Sequence, residues 1–360
     1  MTLDEFLSEW RAPGDRLLVH TSGSTGQPKP LWVEKRRMLA SARTTCDFLG
    51  LKPGDTALLC LSLDYIAGKM MVVRALERQL RLVCVEPSGH PLAWNNRQGG
   101  ESVFSLAAMV PLQVWNSLQV PEERERLRQI RHLIIGGGPV DPQLAEALAD
   151  FPNAVWSTYG MTETLSHIAL RRLNGPQRSE WYTPFEGVEV SLNAEGCLVV
   201  DAPQVCAQPL VTNDLAEVLE PEGTATASPA GTAAAKRFRI LGRRDNVVCT
   251  GGMKIQMEEV ERKLAPHVGV PFLITKCPDP RLGEAVAMLV EGEAEGAGAQ
   301  SVCAEVLALC RRVLTRYEQP RHVFCVPTLP LTPTGKPARA EAERMATALS
   351  TADRAAMSRR

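Results

Sequence analysis

The sequence predicts an α/β protein with a large N-terminal domain on a parallel sheet, a small β subdomain and a small α+β C-terminal domain. Three observations carry this expectation. Over the first two-thirds of the 360 residues, short apolar runs alternate with amphipathic stretches, the pattern of parallel strands joined by helices. From about Phe185 the texture changes to short alternating segments, which read as β structure. A low-complexity stretch then precedes a last unit in which strands and helices mix in the order of a compact α+β domain.

In the N-terminal part, residues 56–61 (TALLCL), 81–85 (RLVCV), 132–135 (HLII) and 154–157 (AVWS) are expected as buried strands. Helical spacing marks residues 65–78, 106–118, 122–129 and 141–150. The last opens with Asp141-Pro142, an N-cap acceptor followed by proline at the first helical position. Residues 188–192 and 197–200 are short strands joined by Asn193-Ala194-Glu195-Gly196, a hairpin signal. Residues 220–235 (EPEGTATASPAGTAAA) cannot build a core and are expected as a flexible surface loop. A last strand at 238–241 leads into the charged turn Gly242-Arg243-Arg244-Asp245-Asn246, which divides the chain into domains 1–241 and 242–360. The C-terminal domain is expected to hold a helix at 256–264, strands at 271–276 and 285–291, a helix at 302–317 and a strand at 322–326.

Composition narrows the function classes. Lysine and arginine number 40 against 41 acidic residues, a net charge of −1. That balance gives no chain-wide reason to expect nucleic-acid binding. No uncharged apolar run approaches the ~18 residues of a membrane helix, and the acidic start MTLDEFLSEW does not read as a signal peptide. The ten cysteines form no CxxC pair and no zinc spacing, and sit mostly in apolar segments. The expectation is a cytoplasmic protein without membrane insertion.

Three loops carry chemistry. Thr21, Ser22, Gly23, Ser24, Thr25, Gly26, Gln27, Pro28 and Lys29 follow an apolar stretch; glycines admit an anion to backbone amides, hydroxyls donate to it, and the lysine adds charge. It is not a Walker loop, because Pro28 and Pro30 break that pattern. Gly136-Gly137-Gly138-Pro139 follows a strand and permits a flat ligand to lie against backbone. Tyr159-Gly160-Met161-Thr162-Glu163-Thr164 follows another strand and offers an aromatic, a hydroxyl and a carboxylate able to hold Mg²⁺.

These motifs, with Asp214 in VTNDLAEV, then GRRDNVVCTGGMKI and PLTPTGK, occur in the order found in acyl-adenylate-forming enzymes. The sequence resembles that superfamily of acyl-CoA synthetases, luciferases and peptide-synthetase adenylation domains from Thr21 to Lys336. The resemblance implies that residues 21–29 close over the β- and γ-phosphates of ATP, and that Gly136, Gly137, Gly138, Pro139 and Tyr159 frame adenine, beside Gly160 and Met161. It further implies that Thr162 meets the α-phosphate, Glu163 holds Mg²⁺, and Asp214 grips the ribose with help from Arg243. Lys336 would bridge the carboxylate and α-phosphate during adenylation. The C-terminal domain would be mobile, pivoting near Asp245, and bring Gly251, Gly252 and Lys254 to a tunnel for CoA. Only 20 residues precede Thr21, so the resemblance also implies an N-terminally shortened subdomain, reduced or completed by a second copy of the chain in a homo-oligomer.

Residues 65–70 (YIAGKM) and 166–171 (SHIALR) make the chain most similar to the short o-succinylbenzoate–CoA ligases of menaquinone biosynthesis. Such a substrate carries a second carboxylate, for which Tyr65, Lys69, Ser166, His167 and Arg171 are candidate contacts. Lys69 and Arg171 read equally well as solvated helix charges, and His167 as a structural histidine. Other small acids, a carrier protein in place of CoA, or a non-catalytic nucleotide-binding paralogue stand as alternatives.

Overall fold

A computed structural model of the chain describes residues 1–20, 29–93, 103–220, 236–293, 296–332 and 335–357. They form two compact units, Met1–Thr212 with Glu217–Arg239, and Asn213–Ala216 with Ile240–Arg360.

The first unit opens with α1 (Leu3–Arg11). Its capping box has Thr2 Oγ1 accepting from the Glu5 amide at 3.2 Å and the Glu5 carboxylate accepting from the Thr2 amide at 2.7 Å. An antiparallel pair follows, β1 (Arg16–His20) and β2 (Pro30–Glu34), and then α2 (Lys35–Phe48) and β3 (Thr56–Leu59). The chain continues through α3 (Ile66–Arg78), β4 (Arg81–Cys84), β5 (Leu106–Met109), α4 (Pro111–Gln119) and α5 (Pro121–Gln129). Next come β6 (His132–Ile135), α6 (Pro142–Ala147), β7 (Ala154–Gly160), β8 (His167–Arg172) and β9 (Thr183–Pro184). Strands β3 to β9 form one seven-stranded sheet in the order β4-β3-β5-β6-β7-β8-β9. The first five are parallel, and the β7–β8 and β8–β9 pairs are antiparallel.

Alternation along the central strands feeds two cores. Ala57, Leu59, Leu106, Ala108 and Ile134 pack with Phe6, Met38 and Met70 of α1, α2 and α3. Leu58, Ala107, Met109, Leu133 and Ile135 pack with Val114, Leu127 and Leu144 of α4, α5 and α6. Both faces are covered, which is why these strands read as unbroken apolar runs.

A four-stranded sheet follows in the order β10 (Glu189–Leu192), β11 (Cys197–Asp201), β12 (Leu210–Leu219) and β13 (Arg237–Arg243). Asn193 Oδ1 shapes the β10–β11 turn by accepting from the amides of Glu195 and Cys197 at 3.0 and 2.8 Å. The second unit continues with β14 (Val247–Thr250), β15 (Met253–Gln256), α7 (Met257–Leu264), β16 (Phe272–Asp279) and β17 (Gly283–Glu291). It ends with α8 (Ala297–Val313), β18 (His322–Val326) and α9 (Arg339–Met357). Its sheet runs β15-β14-β17-β16, with β18 parallel on β17. Val260 and Val306 of α7 and α8 cover one face, and Ala342 and Ala346 of α9 the other. Among the described residues, no helix is long and apolar enough to cross a membrane.

Four expectations need correction. The helix expected at 302–317 lies earlier in the chain, at Ala297–Val313. Residues 106–118 are not one helix: Leu106–Met109 is a fully buried central strand, and the helix starts only at Pro111. Proline holds Val110 in extended backbone, which separates the two elements. Arg81–Cys84 is a strand but not a buried one; it lies at the sheet edge, and Cys84 is exposed. The helix expected over 141–150 is shorter, Pro142–Ala147, although Asp141 caps it by accepting from the Gln143 amide at 2.7 Å. Of the expected loop at 220–235, residues 221–235 lie outside the described residues.

Phe6 is fully buried at the centre of the first core. Phe6→Ala should cost ~3–5 kcal/mol. Calorimetry should then show the unfolding midpoint of this unit falling by roughly 6–20 °C. An unchanged midpoint would mean that α1 is no part of the core.

Candidate active site

In the first unit, the site residues cluster at the carboxyl ends of β6 and β7, where open parallel sheets bind ligands. Gly136 leaves β6 with its amide donating to Met109 O at 3.1 Å, and a Cβ there would meet Thr158 Oγ1 at 2.4 Å. The glycine loop therefore lies directly against β7. Tyr159 is buried, its ring edge-on to Phe238 at 5.1 Å and tilted on Tyr182 at 5.9 Å. Tyr182 in turn bonds Ser157 Oγ through its hydroxyl at 2.8 Å.

Gly160 sits at a bulge between β7 and β8. A Cβ there would come within 2.2 Å of Ser166 O and 2.4 Å of His167 Cα, so only glycine permits this crossing. The turn that follows is pinned by Thr164, whose Oγ1 accepts from the Met161 amide at 3.0 Å and lies 2.7 Å from Ser166 O. Thr162 is buried within the turn, and Glu163 points outward, exposed. No cation among the described residues pairs with Glu163. A lone exposed carboxylate suits a Mg²⁺ ion that takes its other ligands from phosphates and water.

Thr21, Ser22, Gly23, Ser24, Thr25 and Gly26 lie outside the described residues, as do Gln27 and Pro28. Their flanks are defined: β1 ends at His20, paired with Pro30 of β2, and Lys29 is exposed beside it.

The candidate acyl contacts fall around α3 and β8. Tyr65 is the N-cap of α3. Lys69 is buried, its Nζ 5.5 Å from the Phe6 ring centroid and 3.2 Å from Met1 Sδ, and burial pulls its pKa below the ordinary value. Arg171 lies 5.2 Å over the Tyr182 ring with its buried Nε unpaired. His167 Nε2 contacts Thr45 Oγ1 at 3.1 Å, and Nδ1 contacts Ser166 Oγ at 3.3 Å. Burial, with the Arg74 guanidinium adding to it, pushes the His167 pKa well below 6.5. The imidazole is therefore neutral and offers hydrogen bonds, not charge.

Arg74 itself escapes a reading of the sequence. Only 2% exposed, it donates to Ser166 Oγ at 2.7 Å and touches Met71 Sδ at 3.8 Å, while its Nε has no partner. No carboxylate among the described residues pairs with it. Burial lowers its pKa to about 10, which still leaves a cation at neutral pH. The signal was present as a lone arginine inside the apolar run MMVVRAL.

In the second unit, Asp214, Arg243, Asp245 and Lys336 come together. Arg243 forks onto Asp245 with two bonds of 2.9 Å and reaches Asp214 at 3.4 Å. Lys336 lies within range of both: burial lowers its pKa, Arg243 lowers it further, and Asp214 opposes. Gly251 and Gly252 take φ of +57° and +84° in the two-residue turn between Thr250 and Met253, the geometry that type I′ hairpins require. Lys254 follows on β15, exposed.

Two histidines in the first unit, His167 buried and His132 half-buried, set a pH dependence. The His132 pKa is pushed down to about 4 by burial, with Arg131 and Arg172 adding, and that of His167 lies well below 6.5. Below pH 6.5 the unfolded chain binds more protons than the folded one, so stability, fully present above that pH, falls as pH drops. Each histidine adds at most ~1.4 kcal/mol per pH unit. Denaturant titrations between pH 7 and 5 should show this slope, and His167→Gln should remove one share of it. An unaltered slope in the variant counts against the neutral imidazole.

A sequence model of the AMP-binding enzyme matches residues 7–204, and one of the AMP-binding enzyme C-terminal domain matches residues 259–336. A 2-succinylbenzoate–CoA ligase of Bacillus cereus is 24% identical over 342 residues, covering 91% of this chain and 69% of that protein. The crystal structure of an acyl-CoA synthetase (AMP-forming)/AMP-acid ligase II-like protein from Dyadobacter fermentans is 32% identical. It matches with a TM-score of 0.58 over 94% of this chain and 91% of its own. The o-succinylbenzoate CoA synthetase of Bacillus subtilis, solved with ATP and magnesium ion, shares the fold at a TM-score of 0.64 and 20% identity, over 90% of this chain and 69% of that one. The chain belongs to the AMP-binding enzyme family.

Proposed function

We propose that the protein is an AMP-forming acid–CoA ligase acting on o-succinylbenzoate. The observation that carries the reaction is the half-buried lysine of the second unit, Lys336, held in the electrostatic field of Asp214 and Arg243. In the first half-reaction a substrate carboxylate oxygen attacks the α-phosphorus of ATP and pyrophosphate leaves. In the second, the CoA thiolate attacks the acyl carbon and AMP leaves. Negative charge converges only in the first step, when a carboxylate approaches a triphosphate. Lys336 answers that convergence: burial and Arg243 pull its pKa down, and Asp214 opposes them. Thr162 would donate to the α-phosphate, and Asp214 would accept from the ribose hydroxyls. Mg²⁺, held at Glu163, would supply further neutralisation of the phosphates. ATP and CoA are both supplied by the cytoplasm, the compartment this reading assigns.

The dicarboxylic substrate is supported by Arg74. A buried cation without a counter-charge is costly, and an acid with a second carboxylate would relieve it. Ser166, already bonded to Arg74, would orient that group, and the substrates named for the Bacillus relatives have this character.

Lys336→Ala should slow acyl-adenylate formation by ~10²–10³-fold, or 2.7–4 kcal/mol. Thioester formation from preformed acyl-adenylate should stay within a few-fold. Pyrophosphate release and single-turnover thioester assays read the two steps, and equal damage to both would remove the role. Arg74→Met should raise the apparent constant for o-succinylbenzoate by ~10- to 150-fold, the worth of a charge-assisted hydrogen bond at 1.5–3 kcal/mol. A monocarboxylate analogue should be nearly indifferent to the change. Lys69→Ala and Arg171→Ala belong in the same comparison; if no variant discriminates between the two acids, the substrate is a different small acid.

A further inference from the structure

We infer that the ion pair between Glu261 and Arg339 positions Lys336, fixing the turn from which its side chain projects. The inference rests on the reading of Lys336 as the adenylation lysine.

The turn around Lys336 is closed by its own hydrogen bonds. The Thr332 amide donates to Lys336 O at 2.7 Å and the Gly335 amide to Thr332 O at 2.8 Å. The Lys336 amide donates to Thr332 Oγ1 at 3.0 Å, and the Ala338 amide to Pro330 O at 2.9 Å. These bonds shape the turn but do not tie it to the rest of the unit. Arg339 does. Three residues after Lys336, it forks onto Glu261 of α7 with bonds of 2.7 Å from each Nη, and Nη1 also donates to Ile274 O of β16 at 2.7 Å. Glu261 is itself fixed, since Oε1 accepts from the Ile274 amide at 2.9 Å. One carboxylate thus locks the base of the lysine turn to a helix and a strand at once.

Geometry matters more than energy here. Apolar residues of similar volume often stabilise a fold as well as a largely buried ion pair does. Ala342 and Ala346 already seat α9 on the sheet without it. What the fork supplies is direction, because a planar guanidinium on a carboxylate admits one orientation where a lysine ammonium admits many. A displacement of ~1 Å at a reacting group costs as much as ~10²-fold in rate.

The test uses Glu261→Gln and Arg339→Lys in the full chain, with two readouts. Hydrogen exchange needs no substrate: the amides of Gly335, Lys336 and Ala338 should exchange at least ~10-fold faster while β16 and β17 keep their protection. Pyrophosphate release with o-succinylbenzoate, ATP and Mg²⁺ should fall by ~10- to 100-fold in kcat with the ATP constant little altered. Thioester formation from synthetic o-succinylbenzoyl-AMP and CoA should hold. In a Lys336→Ala background, Arg339→Lys should cost nothing further, because there is no ammonium left to place. Unaltered exchange, parallel loss of both half-reactions, or additive losses in the double variant would each overturn the inference. If Lys336→Ala alone leaves adenylation intact, the reading of Lys336 fails and the positioning role goes with it; the exchange data then still report whether the pair holds the turn.

Discussion

Positive charge that the protein's own carboxylates leave uncompensated is the constraint on which the rest of this structure turns. Several arginines are matched: Arg78 pairs with Asp47, Arg131 with Asp55, and Arg339 with Glu261. Arg74 is not, although it is the most deeply buried of them. Lys336 lies near a second cation, Arg243, whose charge Asp245 and Asp214 share. Leaving charge unpaired costs stability in the absence of a ligand. The expense is reasonable only where a carboxylate or a phosphate is due to arrive, and the proposed reaction brings several.

The parallel sheet decides where such groups can be displayed. Strands covered on both faces expose only their ends, so β6 and β7 deliver their loops to one rim. Close approach does the rest. The glycine loop after β6 lies against Thr158, and Gly160 lets β7 cross the start of β8. That crossing places Ser166 and His167 beside Arg74, so the proposed acyl contacts and the proposed nucleotide loop share one piece of backbone. Antiparallel β8 therefore connects the two halves of the proposed site within the first unit.

Much of this was legible in the residues. Runs such as HLII and AVWS announce strands because they are buried on both faces, and Asp141-Pro142 announces a helix start. The loop motifs were legible because their chemistry is concentrated in few residues. The failures have physical causes. The apolar residues at 106–118 continue across a strand–helix boundary, and Pro111 alone marks it. The β5 strand is LAAM, with weak β propensity, and its burial between β3 and β6 overrides that preference. Helix α2 begins on Lys35-Arg36-Arg37 with no side-chain cap, so nothing local declares it. Arg74 was visible as a residue but not as a site, because its meaning lies in partners it does not have.

The second unit carries the two turns to which the proposed function gives roles, and one network joins them to the connecting segment. Gln256 ends β15, the strand that follows the Gly251-Gly252 turn, and its Nε2 donates to Arg243 O at 2.9 Å. Gln256 also donates to Glu258 at 2.5 Å; Glu258 accepts from Asn246 as well, and Arg339 approaches it to 3.9 Å. From the glycine turn to the lysine turn, the links therefore run through side chains at the start of α7. If Asp245 is the pivot between half-reactions, a rotation there would carry both turns together, since the side chains at the start of α7 link to both. Placing Lys336 at the phosphates and placing the glycine turn for CoA are then alternative states of a single rigid piece. Such a device separates the step that needs converging positive charge from the step in which that charge would hold the leaving AMP in place.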